Sequence, residues 1–213
     1  MMQCGNETPK TKKGIAVVLS GPSGCGKGTI VKELLRKYDD ALALSVSATT
    51  RAPRVGEVDG REYYFVSKED FEARIAADEI LEYTTYCGNY YGTPKKELTE
   101  RTEAGIHVIL EIEVEGSMNI RKRYPEAVHI FVLPPDLVTL EARLRGRGTN
   151  TDEDIKNRLA RAKEEIRLIG EYDYVIVNRD GGAEAAADEV FSILCAEQHR
   201  VSRNRDITDP FLA

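Results

Sequence analysis

No apolar run in this chain approaches the roughly 18 residues that a membrane-spanning helix needs. Its first residues, MMQCGNETPKTKKG, lack the apolar stretch of a secretory leader. Cysteine is sparse: Cys4, Cys25, Cys87 and Cys195 stand far apart, with no CxxC pair. That spacing argues against a disulfide framework and a thiolate zinc site, fits a reducing compartment and leads us to expect a cytoplasmic protein. Positive charge is not in excess. The net charge of −6 leaves no global basic field to draw in nucleic acid, so cations for an anionic ligand must be gathered locally. Histidine is scarce too: His107 at a strand start, His129 inside an apolar strand and His199 near the C-terminus all read as structural. There is no internal repeat and no low-complexity segment.

What is present suits one sizeable core. The chain has 213 residues, 41% apolar and 31% charged, with room for a small inserted subdomain. GIAVVLS (14–20) reads as a strand buried on both faces, and TIVKELLRKY (29–38) has helical spacing. Similar strands recur in HVILEI from His107, AVHIFVL from Ala127 and YVIVN from Tyr174. Helical stretches alternate with them: LVTLEARLRG from Leu137, DEDIKNRLARAKEEIRLI from Asp152 and AEAAADEVFSILCAEQHR from Ala183. This order predicts an α/β fold with a parallel sheet flanked by helices. Residues 47–94 break the rhythm with short aromatic segments, REYYFVS and LEYTTYCGNYYGT, and read as a small mixed subdomain. The expected organisation is a flexible tail (1–13), a core (14–46 and 95–199) carrying the insert (47–94) and a lid at about 146–165, then a C-terminal tail (200–213).

Between the first strand and first helix lies SGPSGCGKGT, Ser20 to Thr29. Gly21, Gly24 and Gly26 let a loop curl with its N–H groups inward, the helix start adds its positive dipole end, and Lys27 reaches outer phosphates. The usual Mg²⁺-binding Ser or Thr after the lysine is replaced by Gly28, and the hydroxyl arrives one residue late at Thr29. The form GKGT resembles the loop of nucleoside monophosphate kinases, in which metal is held mainly by phosphate oxygens and water.

A second anion site is signalled in SVSATTRAPRVGEVDGREYYFVS (45–67), where Arg51 and Arg54 stand three apart in a turn-rich segment. Guanidinium groups so close repel unless an anion lies between them. Tyr63 and Tyr91 can add hydroxyls to the same phosphate. LEIEVEG offers Glu111 and Glu113 at the end of a strand, where alternation predicts one shared face.

Taken in order, GPSGCGKGT, SVSATTRAPRVGEVDG, LEYTTYCGNYYGTP, LEIEVEG, IFVLPP, RLRGRGT and YDYVIVN resemble the guanylate kinase family from about Gly14 to His199. The resemblance implies an ATP:GMP phosphotransferase of the P-loop type, active also on dGMP, with Mg²⁺ accompanying ATP and no direct protein ligand to the metal. Gly21, Pro22, Ser23, Gly24, Cys25, Gly26, Lys27, Gly28, Thr29 and Asn178 would bind ATP. Arg51, Arg54, Tyr63 and Tyr91 would hold the acceptor phosphate, and Ser47, Glu82 and Thr93 would face its base, with Glu111 and Glu113 nearby. Lys27, Arg147 and Arg158 would carry the chemistry, the two arginines from a lid whose Gly146 and Gly148 flank Arg147. The chain departs from the family pattern at Glu113, where Asp is usual, and at Arg179, where an acidic residue is common.

Glu82 has a chemical reason to read guanine. One carboxylate accepts from both N1–H and N2–H₂, whereas adenine presents a bare acceptor at N1. Two rivals remain: a guanylate-kinase-like module that binds protein ligands without catalysis, and a relative acting on a ribose phosphate. The sequence leaves oligomeric state and regulation open, and implies no nucleic-acid or membrane partner.

Overall fold

Residues 12–146, 148 and 151–212 are described by the computed structural model. β1 (Ala16–Ser20), buried along its whole length, lies at the centre of a five-stranded parallel sheet. Its neighbours are β7 (His107–Glu111) and β8 (Val128–Leu133), with β2 (Leu42–Leu44) and β9 (Tyr174–Val177) at the edges. The order is β2-β7-β1-β8-β9. Because the chain leaves β1 for one side of the sheet and later fills the other, the loop after β1 stands at a switch point, where open parallel sheets bind ligands.

Helices cover both faces. On one, α1 (Lys27–Lys37) and α7 (Ala183–Glu197) bury Ile30, Val31, Leu34, Val190 and Leu194 against Val17, Leu19 and Ile130. On the other, α3 (Lys95–Glu103) and α4 (Val114–Arg123) contribute Leu98 and Ile120 to a cluster with Val18, Val108 and Leu110. Each fully buried residue of this kind contributes about 1.5–3 kcal/mol. The alternating pattern predicted from the sequence is thus the observed architecture. β2, α3 and α4 are additions that periodicity did not reveal.

The insert is a second sheet, of order β4-β3-β6-β5. It comprises β3 (Ala48–Thr49), β4 (Tyr64–Phe65), β5 (Ile80–Tyr86) and β6 (Asn89–Pro94), packed on α2 (Lys68–Ala76). It has its own core: Phe71 of α2 is fully buried with Ala48 and Ile80 and stacks on Tyr90 at 5.1 Å. β5 and β6 meet at Cys87-Gly88, both with positive φ (48° and 77°), the combination a two-residue type I′ hairpin turn demands.

The register of β5 on β6 slips once. Ile80 faces Pro94 and Tyr83 faces Gly92, so Leu81 and Glu82 together oppose Thr93. This bulge breaks strict alternation. Leu81 goes into the main core with Val18 and Leu110, while Ile80 stays in the core of the insert.

α5 (Leu137–Gly146) and α6 (Asp152–Ile166) form the arm beyond β8, joined by a small core of Leu140, Leu144, Ile155 and Ala162. α6 begins with a capping box between Thr151 and Asp154. Past α7, Arg203 ties the last segment down through Glu197 (3.2 Å) and the Glu126 carbonyl (2.9 Å).

Candidate active site

The turn between β1 and α1 is held open by glycine. Gly21, Gly24 and Gly26 have φ of 146°, 95° and 98°, all in the region favouring glycine. At Gly26 a methyl group would lie 2.2 Å from Asn178 Nδ2, so no larger residue fits. Gly26 is also the N-cap of α1, supplies no side-chain cap and is followed by no acidic residue in the first turn. The helix therefore presents its positive end, uncapped by any side chain, to the loop. By contrast, the first turn of α6 is filled by Asp152, Glu153 and Asp154.

Lys27 folds back over this loop. Its Nζ donates to the Gly21 carbonyl at 2.6 Å and lies 3.8 Å from Glu113 Oε1. Lys27 is buried, 8% exposed, whereas the Glu113 side chain is 58% exposed. Arg158 of α6 donates to Ser23 Oγ at 2.8 Å and brings the arm onto the loop. Arg147, expected beside it, lies outside the described residues.

The shared strand face expected for Glu111 and Glu113 is corrected by the structure. β7 ends at Glu111, and Glu113 is already the N-cap of α4, so alternation does not extend to it. Both carboxylates still converge on the loop. Glu111 is exposed as a residue, yet desolvation of its carboxyl raises its pKa, with Lys27 opposing the rise. A methyl group on Gly28 would stand 3.3 Å from Glu111 Oε1. The glycine in place of the usual hydroxyl residue leaves room for an acidic neighbour.

Beside the loop lies a cleft of about 350 Å³ lined by Gly24, Gly26, Thr29, Arg143, Asn178, Arg179 and Asp180, among others. Arg143 is its fixed cation. It donates to the carbonyls of Cys25 (3.2 Å) and Asn178 (2.9 Å) and pairs with Asp180 at 2.7 Å. Asn178 Nδ2 donates to the Cys25 carbonyl at 2.9 Å, which sets the orientation of the amide. Its Oδ1 is buried with no hydrogen-bond partner among the described residues. Cys25 itself is fully buried, and desolvation raises its thiol pKa, so it is a packing residue. A larger cavity, about 870 Å³, sits at the opposite end of the sheet between Lys12, Tyr124, Arg200 and Arg203 and contains none of the predicted site residues.

The residues expected to form a second anion site lie on the insert. Tyr63 and Tyr91 meet edge-to-face at 5.9 Å, and the Arg51 guanidinium lies over the Tyr63 ring at 5.5 Å. Sequence reasoning missed the organiser of this group, Glu57. Its Oε1 accepts from Arg51 Nη2 at 2.9 Å, and its Oε2 from the Arg54 backbone N–H at 2.7 Å. The bond from Arg51 lowers the Glu57 pKa below the usual carboxylate range. An acidic residue three positions after Arg54 was the available signal, masked by the general polarity of the loop.

Glu82 stands on the bulge, 7% exposed. Its Oε1 accepts from Thr93 Oγ1 at 2.8 Å. Desolvation raises its pKa, and the Thr93 hydrogen bond partly offsets that. Ser47 is half-buried just before β3, where its carbonyl accepts from the Tyr64 N–H at 2.9 Å. His107 Nδ1 accepts from the Ile15 N–H at 3.1 Å, and His129 is buried against Ser117 at 3.0 Å.

A glycine- and lysine-bearing loop at the switch point of a parallel sheet, an arginine-bearing arm above it and an inserted mixed sheet define a P-loop phosphotransferase. The chain belongs to the guanylate kinase family: that family's model, described as guanylate kinase, matches residues 13–197. It is 52% identical over 196 residues to a guanylate kinase of Clostridioides difficile (strain 630), covering 92% of this chain and 94% of that one. With a guanylate kinase of Streptococcus thermophilus (strain CNRZ 1066) it shares 50% identity over 193 residues, 91% of each chain. The crystal structure of guanylate kinase from Anaplasma phagocytophilum superposes with a TM-score of 0.70 at 33% identity, over 93% of this chain and 95% of that one.

Proposed function

We propose that this chain, as a guanylate kinase family member, transfers the γ-phosphoryl of ATP to the phosphate of GMP, and of dGMP, giving ADP and GDP or dGDP. The observation that carries the base assignment is Glu82: a buried carboxylate with one oxygen taken by Thr93 and the other without a hydrogen-bond partner among the described residues. A buried, ionised carboxylate gains most from a ligand with two adjacent N–H donors, which guanine supplies and adenine does not.

In this reading residues 21–29 cradle the ATP phosphates. The amide of Asn178 is set by the Cys25 carbonyl, so its unpartnered Oδ1 accepts from the adenine amino group. A guanine in that cleft brings a carbonyl oxygen instead. Arg51, Arg54, Tyr63 and Tyr91 hold the acceptor phosphate. Ser47 joins Glu82 and Thr93 at the base, and Glu111 and Glu113 border the acceptor where it meets the loop. The domain limits follow: core 14–46 and 95–199, acceptor insert 47–94, lid about 146–165.

The nucleophile is an oxygen of the GMP phosphate, whose second pKa is about 6, so it is largely ionised at neutral pH and needs no general base. Catalysis is alignment plus neutralisation of charge on the transferring group by Lys27, Arg158 and Arg147. Mg²⁺, when bound with ATP, would supply further charge neutralisation. The hard carboxylate oxygens of Glu111 and Glu113, near Lys27 and Gly28, and the Thr29 hydroxyl are groups that suit its water shell. The complete loop with Lys27 in place supports catalysis over a purely protein-binding role.

A coupled assay of ADP release with GMP, AMP, CMP and UMP tests this. Turnover on GMP alone is expected, with Glu82→Gln raising the GMP KM far more than the ATP KM. AMP turnover at GMP-like rates refutes the role of Glu82, and no turnover with any nucleotide refutes the enzyme.

A further inference from the structure

Glu82 meets the main core at the first turn of α4. Gly116 is the third residue of that helix. A methyl group there would stand 3.2 Å from Glu82 Oε2 and 3.8 Å from Glu82 Cδ, with Ile112 Cβ also at 3.8 Å. Glu82 has little freedom to retreat. Its Oε1 is held by Thr93 at 2.8 Å. Its backbone is fixed behind by Gly92, where a methyl group would come within 2.6 Å of the Glu82 carbonyl. Its neighbour Leu81 is locked in the core of the main sheet.

A glycine inside a helix is poorly placed for helix stability, since alanine orders the backbone at lower entropic cost. No positive φ is recorded at Gly116 to require it. What a side chain there would meet is the carboxylate itself. We propose that Gly116 is a positioning residue for purine recognition, its bare surface being the wall against which Glu82 Oε2 is set and the base edge admitted. This rests on the reading of Glu82 as the guanine acceptor. It adds that the selectivity of the acceptor site is set jointly by the insert, which carries the acid, and by α4 of the core, which sizes the gap.

The experiment compares Gly116→Ala, Glu82→Gln, Glu82→Asp and the double variant G116A/E82D in steady-state kinetics for both substrates, alongside thermal unfolding. Gly116→Ala is expected to raise the GMP KM by about 10-fold or more, as a sub-ångström misplacement of a recognition group does. The ATP KM should hold and the melting temperature should not fall. In the double variant the shorter carboxylate returns the lost space, so its GMP KM should lie below that of G116A. Such non-additivity is the mark of two residues in direct contact. If Gly116→Ala leaves the GMP KM unchanged while Glu82→Gln raises it, Gly116 has no such role and the reading of Glu82 survives. If neither variant moves the GMP KM, that reading fails as well. A rise in both KM values, or a lowered melting temperature, reduces Gly116 to a structural residue and overturns the proposal.

Discussion

Arg158 Nη1 donates to Ser23 Oγ at 2.8 Å, joining α6 of the arm to the glycine loop across 135 residues of sequence. The bond places a guanidinium at the loop that cradles the phosphates in our reading. Replacing Arg158 by Ala should lower kcat by about 10²- to 10³-fold, as for other groups that stabilise developing charge. The ATP KM should change much less. Steady-state kinetics at saturating GMP reads both, and an unchanged kcat would leave Arg158 a purely structural tie.

Lys27 is buried at the loop and bonded to the Gly21 carbonyl at 2.6 Å. Lys27→Ala should reduce kcat by at least roughly 10²-fold, the cost of losing a transition-state cation. Circular dichroism should show an intact fold. A variant turning over at near-normal rate would remove Lys27 from the chemistry.

Glu57 accepts from Arg51 Nη2 and from the Arg54 backbone N–H, the two arginines assigned to the acceptor phosphate in our reading. Glu57→Gln should raise the GMP KM severalfold and leave the ATP KM unchanged. Its pKa is depressed in the folded state, so the stability it lends is full above the ordinary carboxylate pKa and is lost as pH falls through the depressed value. Calorimetry between neutral and strongly acidic pH should show a shallower acid loss in the variant.

His129 is fully buried beside Ser117 and Tyr172, with Arg121 and Asp173 facing it, and burial pushes its pKa down to about 4. The unfolded chain takes up this proton near pH 6.5, the folded chain only near 4. Stability is therefore full above pH 6.5 and falls between those values, by up to about 1.4 kcal/mol per pH unit. His129→Gln should flatten unfolding free energy in that window, measured by urea titration at pH 7, 6 and 5. An equal slope in both proteins would place the acid sensitivity elsewhere.

Elements with strong apolar periodicity were legible in the sequence, β1, β7, β8, β9, α1, α6 and α7 among them. Those it hid bury little. α3, KKELTERTE, hides only Leu98 and Thr102, and α4 buries three residues around Gly116. α2 carried a readable sign, Ser67 accepting from the Asp70 N–H at 3.0 Å, but it lies among aromatic strands that dominate the pattern. The bulge at Leu81-Glu82 left no mark, because alternation predicts a continuous strand there.

By itself the sequence determined the phosphate-binding loop, since its glycines and lysine act through local backbone geometry that a few adjacent residues dictate. It also determined the parallel sheet, through the apolar runs a doubly covered strand requires. Only the tertiary structure decided that Glu82 faces Gly116, that Glu57 binds Arg51 and orients the Arg54 backbone, and that Asn178 presents its oxygen and not its nitrogen. Those relations depend on side chains meeting across elements at distances of a few ångströms, and residue spacing along a chain carries no record of such meetings.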